Sequence, residues 1–96
     1  MIFPTPDDRL VDAHGHLTFL WDVEMTRPEL EARLRDPDPE VRGYWLGKVL
    51  RQAKPDDVPT FVNVPDLAAD WPLFERYLGQ SREMWAWLLG SGWRGE

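Results

Sequence analysis

Three side chains that could bind a metal lie at alternate positions in the stretch VDAHGHLTFL, residues 11–20. Asp12, His14 and His16 are each separated by one residue and precede an apolar run. Imidazole and carboxylate groups are common zinc ligands, and a hydrolytic zinc site combines three protein ligands with an open position for water. The stretch therefore raises the hypothesis of a small metal-binding protein or metal-dependent hydrolase.

The H-x-H spacing resembles the first metal-binding strand of an amidohydrolase, which implies further ligands from later strands of a barrel of about 250 residues. This chain has 96 residues, and His14 and His16 are its only histidines. We therefore favour a polar turn in which Gly15 supplies backbone freedom before an apolar anchor. No catalytic, cofactor-binding or metal-binding residue is predicted, and the metal hypothesis stays as an alternative.

Length and composition indicate one domain over residues 1–96, with an irregular segment at 1–15 and a loose tail at 91–96. No cysteine is available for a disulfide, and no apolar run reaches the ~20 residues of a membrane span, which favours a cytoplasmic protein. The net charge of −6 disfavours direct nucleic-acid binding, because phosphate contacts need cations. It suits a partner with a basic surface, or serves solubility alone.

Helix-start signals recur along the chain. Thr26 and Glu29 have the spacing of a capping box, and Pro28 falls in the first turn, where its missing amide is harmless. Asp38 is expected to cap the next helix, with Pro39 in its first position.

The stretch from Asp38 to Ala53 predicts a central helix with a wide apolar arc, formed by Val41, Trp45, Leu46, Val49, Leu50 and Ala53. Arg42 falls within this arc, so we expect it to pair with a carboxylate such as Asp22 or a helix-cap aspartate. Gly43 and Gly47 lie one turn apart and predict a close approach by another helix.

The second half of the chain predicts further short helices. Asp57 is expected to cap one of them, and a break near Asp70, before Pro72, is expected to separate two more. Gly79 and Gly90 are expected to end helices. Because no segment alternates as a strand would, we predict an all-α fold, a compact bundle of four to six short helices.

The last predicted helix is apolar almost all round, whereas a small bundle covers only one or two faces of a helix. Exposed aromatic residues commonly anchor protein interfaces. We therefore predict a partner-binding surface formed by Met84, Trp85, Trp87 and Trp93. In the alternative, the tail SGWRGE folds back and Trp93 covers the excess.

The segments LTFLWDVEM, WLGKVLRQAKPDDVPTFV and YLGQSREMWAWLLG together resemble a family of short bacterial proteins encoded beside nucleotidyltransferase toxins of the AbiE type. The resemblance spans roughly residues 17–90. It rests on Trp21, Asp22, Trp45, Arg51, Arg82, Trp85 and Leu89. It implies an antitoxin-like or accessory partner of a nucleotidyltransferase-type toxin. Known AbiE antitoxins carry a winged-helix DNA-binding part, for which this chain has no room.

The stretch DPDPEVRGYWLGKVL is also similar to one HEAT-like repeat, which implies paired helices and protein binding. The leading hypothesis is thus a non-enzymatic protein–protein interaction module with a protein partner, no cofactor and no direct contact to nucleic acid or membrane. The alternatives are the metal protein built on Asp12, His14 and His16, and a self-associating structural protein.

The histidine count generates the first prediction. We expect the purified protein to hold no stoichiometric zinc, because two histidines and no thiols leave a zinc site incomplete. Elemental analysis measures this directly. About one tightly held zinc per chain, lost on His14→Ala, would contradict the prediction.

Overall fold

The computed structural model describes residues 4–91 of the chain. They form an all-α fold with six α-helices, which confirms the predicted class of bundle. The α-helices are α1 (Asp7–Leu10), α2 (Arg27–Leu34), α3 (Pro39–Gln52), α4 (Val58–Phe61), α5 (Val64–Phe74) and α6 (Arg82–Gly90). Short 3-10 helices cover Pro55–Asp57, Glu75–Tyr77 and Gly79–Ser81.

Helix α3 lies at the centre of the bundle and packs mainly against α2 and α5. The capping signals that start α2 and α3 are confirmed. The Thr26 hydroxyl accepts a hydrogen bond from the Glu29 amide while the Glu29 carboxylate accepts one from the Thr26 amide, and Asp38 accepts one from the Glu40 amide at 2.9 Å. These bonds satisfy amides that the first turn of each helix leaves without partners.

The core contains apolar side chains from the chain entry and from each of the helices α2 to α6. Its largest fully buried members are Trp85, Phe74, Leu17, Leu20, Leu30, Leu50, Leu67, Leu78, Val49 and Val58. The N-terminal segment, predicted to be irregular, contains the single-turn helix α1, whose Leu10 is buried. Beyond it, two isolated β-bridges, Val11 with Leu17 and His16 with Thr26, connect the entry loop to itself and to the start of α2.

The close approach predicted at Gly43 and Gly47 is confirmed. A Cβ atom added at Gly43 would overlap the backbone carbonyl of Leu73 in α5, and one added at Gly47 would lie 2.5 Å from Cβ of Tyr77. The missing side chains therefore let the α5 backbone and the following 3-10 turn lie directly on α3. Packing at this distance compensates for the low helix propensity of glycine.

The predicted break at Asp70 is wrong. Helix α5 runs without interruption from Val64 to Phe74, with Pro72 inside it, so Asp70 is not a cap. Pro72 removes one helical hydrogen bond. The helix nevertheless continues because Leu67 and Phe74, on either side of this point, are both buried in the core.

Asp57 also has a role other than the predicted one. A 3-10 turn runs directly into α4, so Asp57 has helical backbone angles and its side chain makes no cap bond. Its buried carboxylate instead accepts hydrogen bonds from the Thr5 amide and, at 2.7 Å, from the Thr5 hydroxyl. Asp57 therefore fastens the N-terminal segment to the bundle.

The predicted carboxylate partner of Arg42 is wrong too. Nη1 of Arg42 donates to the backbone carbonyl oxygens of Asp36 at 2.8 Å and Pro37 at 3.0 Å. The half-buried side chain thus turns back to the loop before its own helix. Those carbonyls lie within reach because the loop leads directly into the first turn of α3, which contains Arg42.

The glycines predicted to end helices lie close to helix ends. Gly79 has a φ of +56° and follows the 3-10 turn Glu75–Tyr77, as a left-handed terminator does. Gly90 is the last residue of α6, and Ser91 caps the helix through a backbone bond to Trp87. Of the predicted tail 91–96 and its Trp93, residues 92–96 lie outside the described part of the chain.

The α3–α5 contact generates the second prediction. We expect Gly43→Ala to destabilise the fold by about 2–3 kcal/mol, because the added methyl overlaps a backbone carbonyl that cannot rotate away. The matched control is Gly90→Ala, where no atom lies within 4 Å and the change should stay within about 1 kcal/mol. Urea unfolding measures both. Equal stability of the two variants would contradict the tight approach.

Candidate functional site

The DAHGH segment forms a closed polar turn. Oδ1 of Asp12 accepts hydrogen bonds from the backbone amides of His14 at 2.8 Å and His16 at 3.0 Å. The Asp12 amide donates to the His16 carbonyl at 2.9 Å, and Gly15 has a φ of +79°. The structure therefore has the polar turn that we favoured, with glycine at the position that needs a left-handed backbone.

This turn uses Oδ1 of Asp12, one of the two oxygens of the carboxylate that the metal hypothesis requires as a ligand. The amides of His16 and His14 lower the pKa of the Asp12 carboxyl by hydrogen bonding to its ionised form. Within residues 4–91, no three histidine, cysteine, aspartate or glutamate side chains are grouped so that they could hold a metal ion. Asp12, His14 and His16 are thus neighbours in a turn without converging on one point.

Trp85, predicted to be a partner-binding residue, belongs to the core. Its side chain is fully buried, and its indole Nε1 donates to the Leu50 carbonyl at the C-terminal end of α3, at 2.9 Å. The error arose because helical spacing shows which residues share a face but not which face points inward. Trp85 anchors α6 to α3 and is unavailable to a partner.

The outer face of α6 exposes the apolar surplus that the sequence predicted. Trp87 is 69% exposed and Met84 is 40% exposed, although both are large apolar residues. Glu83 lies one helical turn before Trp87, so the three side chains share one side of the helix. We call Glu83, Met84 and Trp87 the α6 face.

Sequence reasoning missed a second exposed tryptophan as a site residue. Trp21, in the loop between the buried residues Leu20 and Met25, is 79% exposed, and Val23 beside it is also exposed. Together with the polar turn they border a shallow hollow of about 550 Å³. We call its outer residues the Trp21 surface: Asp12, His14, His16, Trp21, Val23 and Glu24.

An ion pair that the sequence did not predict fixes this loop. Nζ of Lys48, on α3, lies 2.6 Å from Oδ2 of Asp22, and the Lys48 side chain is only 3% exposed. The hydrogen bond from Lys48 is the main cause that lowers the pKa of the Asp22 carboxyl. The residue between Trp21 and Val23 is therefore held against α3 while its two neighbours are exposed.

Two further hollows lie beside α5. One, of about 370 Å³, lies against α2 and α3 and has charges of both signs, from Glu31, Arg35, Arg42, Asp66 and Asp70. The other, of about 320 Å³, lies between α5 and α6, against Trp71 and Leu89.

Several positions that carry the family resemblance have structural roles. Arg51 donates to the Tyr77 carbonyl at 3.2 Å, and Arg82 lies 3.4 Å from Glu75 and against the Trp71 ring. Leu89 packs on the core. These contacts hold the helices together.

Comparison of the chain with protein families, curated proteins and solved structures finds no match. The resemblance to the AbiE-associated family and to a HEAT-like repeat therefore stays a prediction. No helix within residues 4–91 has the length and apolar character needed to cross a membrane.

The Lys48–Asp22 pair generates the third prediction. We expect Asp22→Asn to lower the urea midpoint more than Lys48→Met does. The first change leaves a buried ammonium without its carboxylate, whereas the second fills the same space and frees a partly exposed carboxylate to meet water. Lys48→Met should change the free energy of unfolding by no more than about 1 kcal/mol.

The same pair sets a pH dependence. The pKa of Asp22 is lowered in the folded protein, so the stabilisation is present above the unfolded-state pKa of ~3.9 and is lost as the pH falls through the folded-state value. Asp22→Asn should therefore weaken the acid-induced loss of stability. The reverse order of the two midpoints, or an unchanged acid limb, would contradict this role of the pair.

Proposed function

We propose that the chain is a non-enzymatic protein–protein interaction module whose α6 face binds a protein partner. The observation that carries the proposal is the exposure of Trp87 and Met84 side by side on a helix whose other side is anchored in the core. A tryptophan costs little conformational entropy to fix and provides a large apolar contact, so it commonly forms the centre of an interface.

The charge of the chain supports a partner with a basic binding surface. Acidic residues outnumber basic ones by 17 to 11, and Glu83 lies on the α6 face itself. Carboxylates around an aromatic centre attract a basic partner over a distance of about 10 Å in ordinary salt. Their main effect is then on the association rate, while the aromatic residues limit dissociation.

The specific partner in this proposal is a nucleotidyltransferase-type toxin, for which the chain would act as an antitoxin-like or accessory subunit. This identity rests on the sequence resemblance across residues 17–90. The interaction itself rests on the α6 face. The two parts are separable, because a different basic partner would still use Trp87 and Met84.

The proposal generates the fourth prediction. We expect a gene adjacent to that of this chain to encode a nucleotidyltransferase-like protein; the two proteins are coexpressed, purified and titrated by calorimetry. Trp87→Ala should weaken the complex by at least ~2 kcal/mol, because it truncates the proposed anchor. Trp87→Tyr, which keeps an aromatic contact, is the matched control and should retain most of the affinity. Glu83→Gln should mainly slow association and reduce its salt sensitivity.

Thermal melts of the three variants control for folding, which the exposure of Trp87 should leave intact. If the titration shows no binding, the toxin identity is wrong. If binding occurs but Trp87→Ala leaves it unchanged, the α6 face is wrong. A chain that instead dimerises through Trp87, seen by sedimentation, would favour the self-associating alternative.

A further inference from the structure

The Trp21 surface is rigidly presented, although it lies in a loop. Leu20 and Met25 bury their side chains on either side of it, and the Leu17 amide donates to the Met25 carbonyl at 2.8 Å. The ion pair between Asp22 and Lys48 fixes the middle of the loop to α3. A loop backbone held in this way loses little freedom on binding, which lowers the entropic cost of association.

The chemistry of this surface is aromatic and acidic. Residues 10–26 contain Asp12, Asp22 and Glu24 but no lysine or arginine. Lys48 pairs with Asp22 from the side of the loop that faces α3. Asp12 and Glu24 therefore remain as the carboxylates that border the hollow beside Trp21. Like an ordinary aspartate, Asp12 is ionised at neutral pH, and the His16 and His14 amides lower its pKa further.

The two hollows beside α5 do not combine an exposed indole with carboxylates and no basic group. The hollow against α2 and α3 presents Arg35 and Arg42 among its acidic groups, so neither sign of ligand is favoured there. The hollow between α5 and α6 has Arg82 at its edge. At the Trp21 surface, by contrast, an exposed indole face and two carboxylates favour the same kind of ligand, a cation.

We propose that the Trp21 surface is a second docking site, separate from the α6 face, that binds a lysine- or arginine-rich segment of a protein partner. One cationic head group of that segment lies over the Trp21 indole, which is the strongest cation–π acceptor among side chains. Neighbouring basic residues pair with Asp12 and Glu24, and the alkyl stems cover Val23. The hollow of about 550 Å³ accommodates a few side chains of such a segment.

The test uses a fluorescein-labelled nona-arginine peptide as the probe and fluorescence anisotropy as the measurement. Trp21→Ala should weaken binding about tenfold, equivalent to about 1.4 kcal/mol. Trp21→Tyr, which keeps an aromatic face at the same position, should weaken it less than threefold. Glu24→Gln should weaken binding more than Glu40→Gln, an exposed carboxylate outside both surfaces, although both variants have the same net charge.

A labelled nona-glutamate peptide should not bind, and added salt should weaken nona-arginine binding. Melting temperatures control for folding, and Trp21 is exposed enough for its truncation to be tolerated. No difference between Trp21→Ala and Trp21→Tyr, or between Glu24→Gln and Glu40→Gln, would show attraction by net charge alone and would overturn the site. Dimerisation of the free chain that Trp21→Ala abolishes would also overturn it, since a second copy would then be the occupant.

Discussion

The close approach of α5 to α3 is the constraint on which the rest of the structure depends. It exists because Gly43 and Gly47 present no side chain to the backbone at Leu73 and to the side chain of Tyr77. This contact sets the position of α5 beside α3, and the burial of Leu67 and Phe74 on either side of Pro72 keeps the helix continuous. It also fixes the position of α3 in the bundle. Lys48 of α3 holds the entry loop through Asp22, and the Leu50 carbonyl of α3 holds α6 through the Trp85 indole.

The exposure of Trp21 and of Trp87 follows from the fixed position of α3. Trp21 comes directly after buried Leu20 and directly before Asp22, which Lys48 holds. Trp87 lies two residues after buried Trp85, on the opposite side of the helix. In each case a buried side chain within two residues fixes the backbone and leaves the indole outside. The two exposed indoles therefore lie on segments whose backbone is fixed by buried neighbours. Exposure of this kind favours binding of a partner and does not result from a frayed chain.

Features governed by local chemistry could be predicted from the sequence, and features governed by distant contacts could not. The capping box at Thr26, the cap at Asp38 and the glycine stops depend on neighbours within a few residues, so their spacing sufficed. The ion pair of Asp22 joins residues 26 positions apart, and the bond from Trp85 to Leu50 spans 35. Helical periodicity does not indicate contacts between residues so far apart in the chain. The sequence therefore offers Asp22 as one of the expected partners of Arg42 and places Trp85 in a partner-binding surface. It gives no signal for Trp21 as a site residue.

The central claim is that Trp85 is a buried anchor whereas Trp21 and Trp87 are exposed contacts. It is tested most directly by indole NMR signals, assigned by single tryptophan-to-phenylalanine variants, in the presence of a soluble nitroxide. The Trp21 and Trp87 indole signals should broaden strongly, while the Trp85 signal should persist and its Nε1 proton should exchange slowly with solvent. Broadening of Trp85 to the extent of Trp87, or protection of Trp21 in the free chain, would contradict the account.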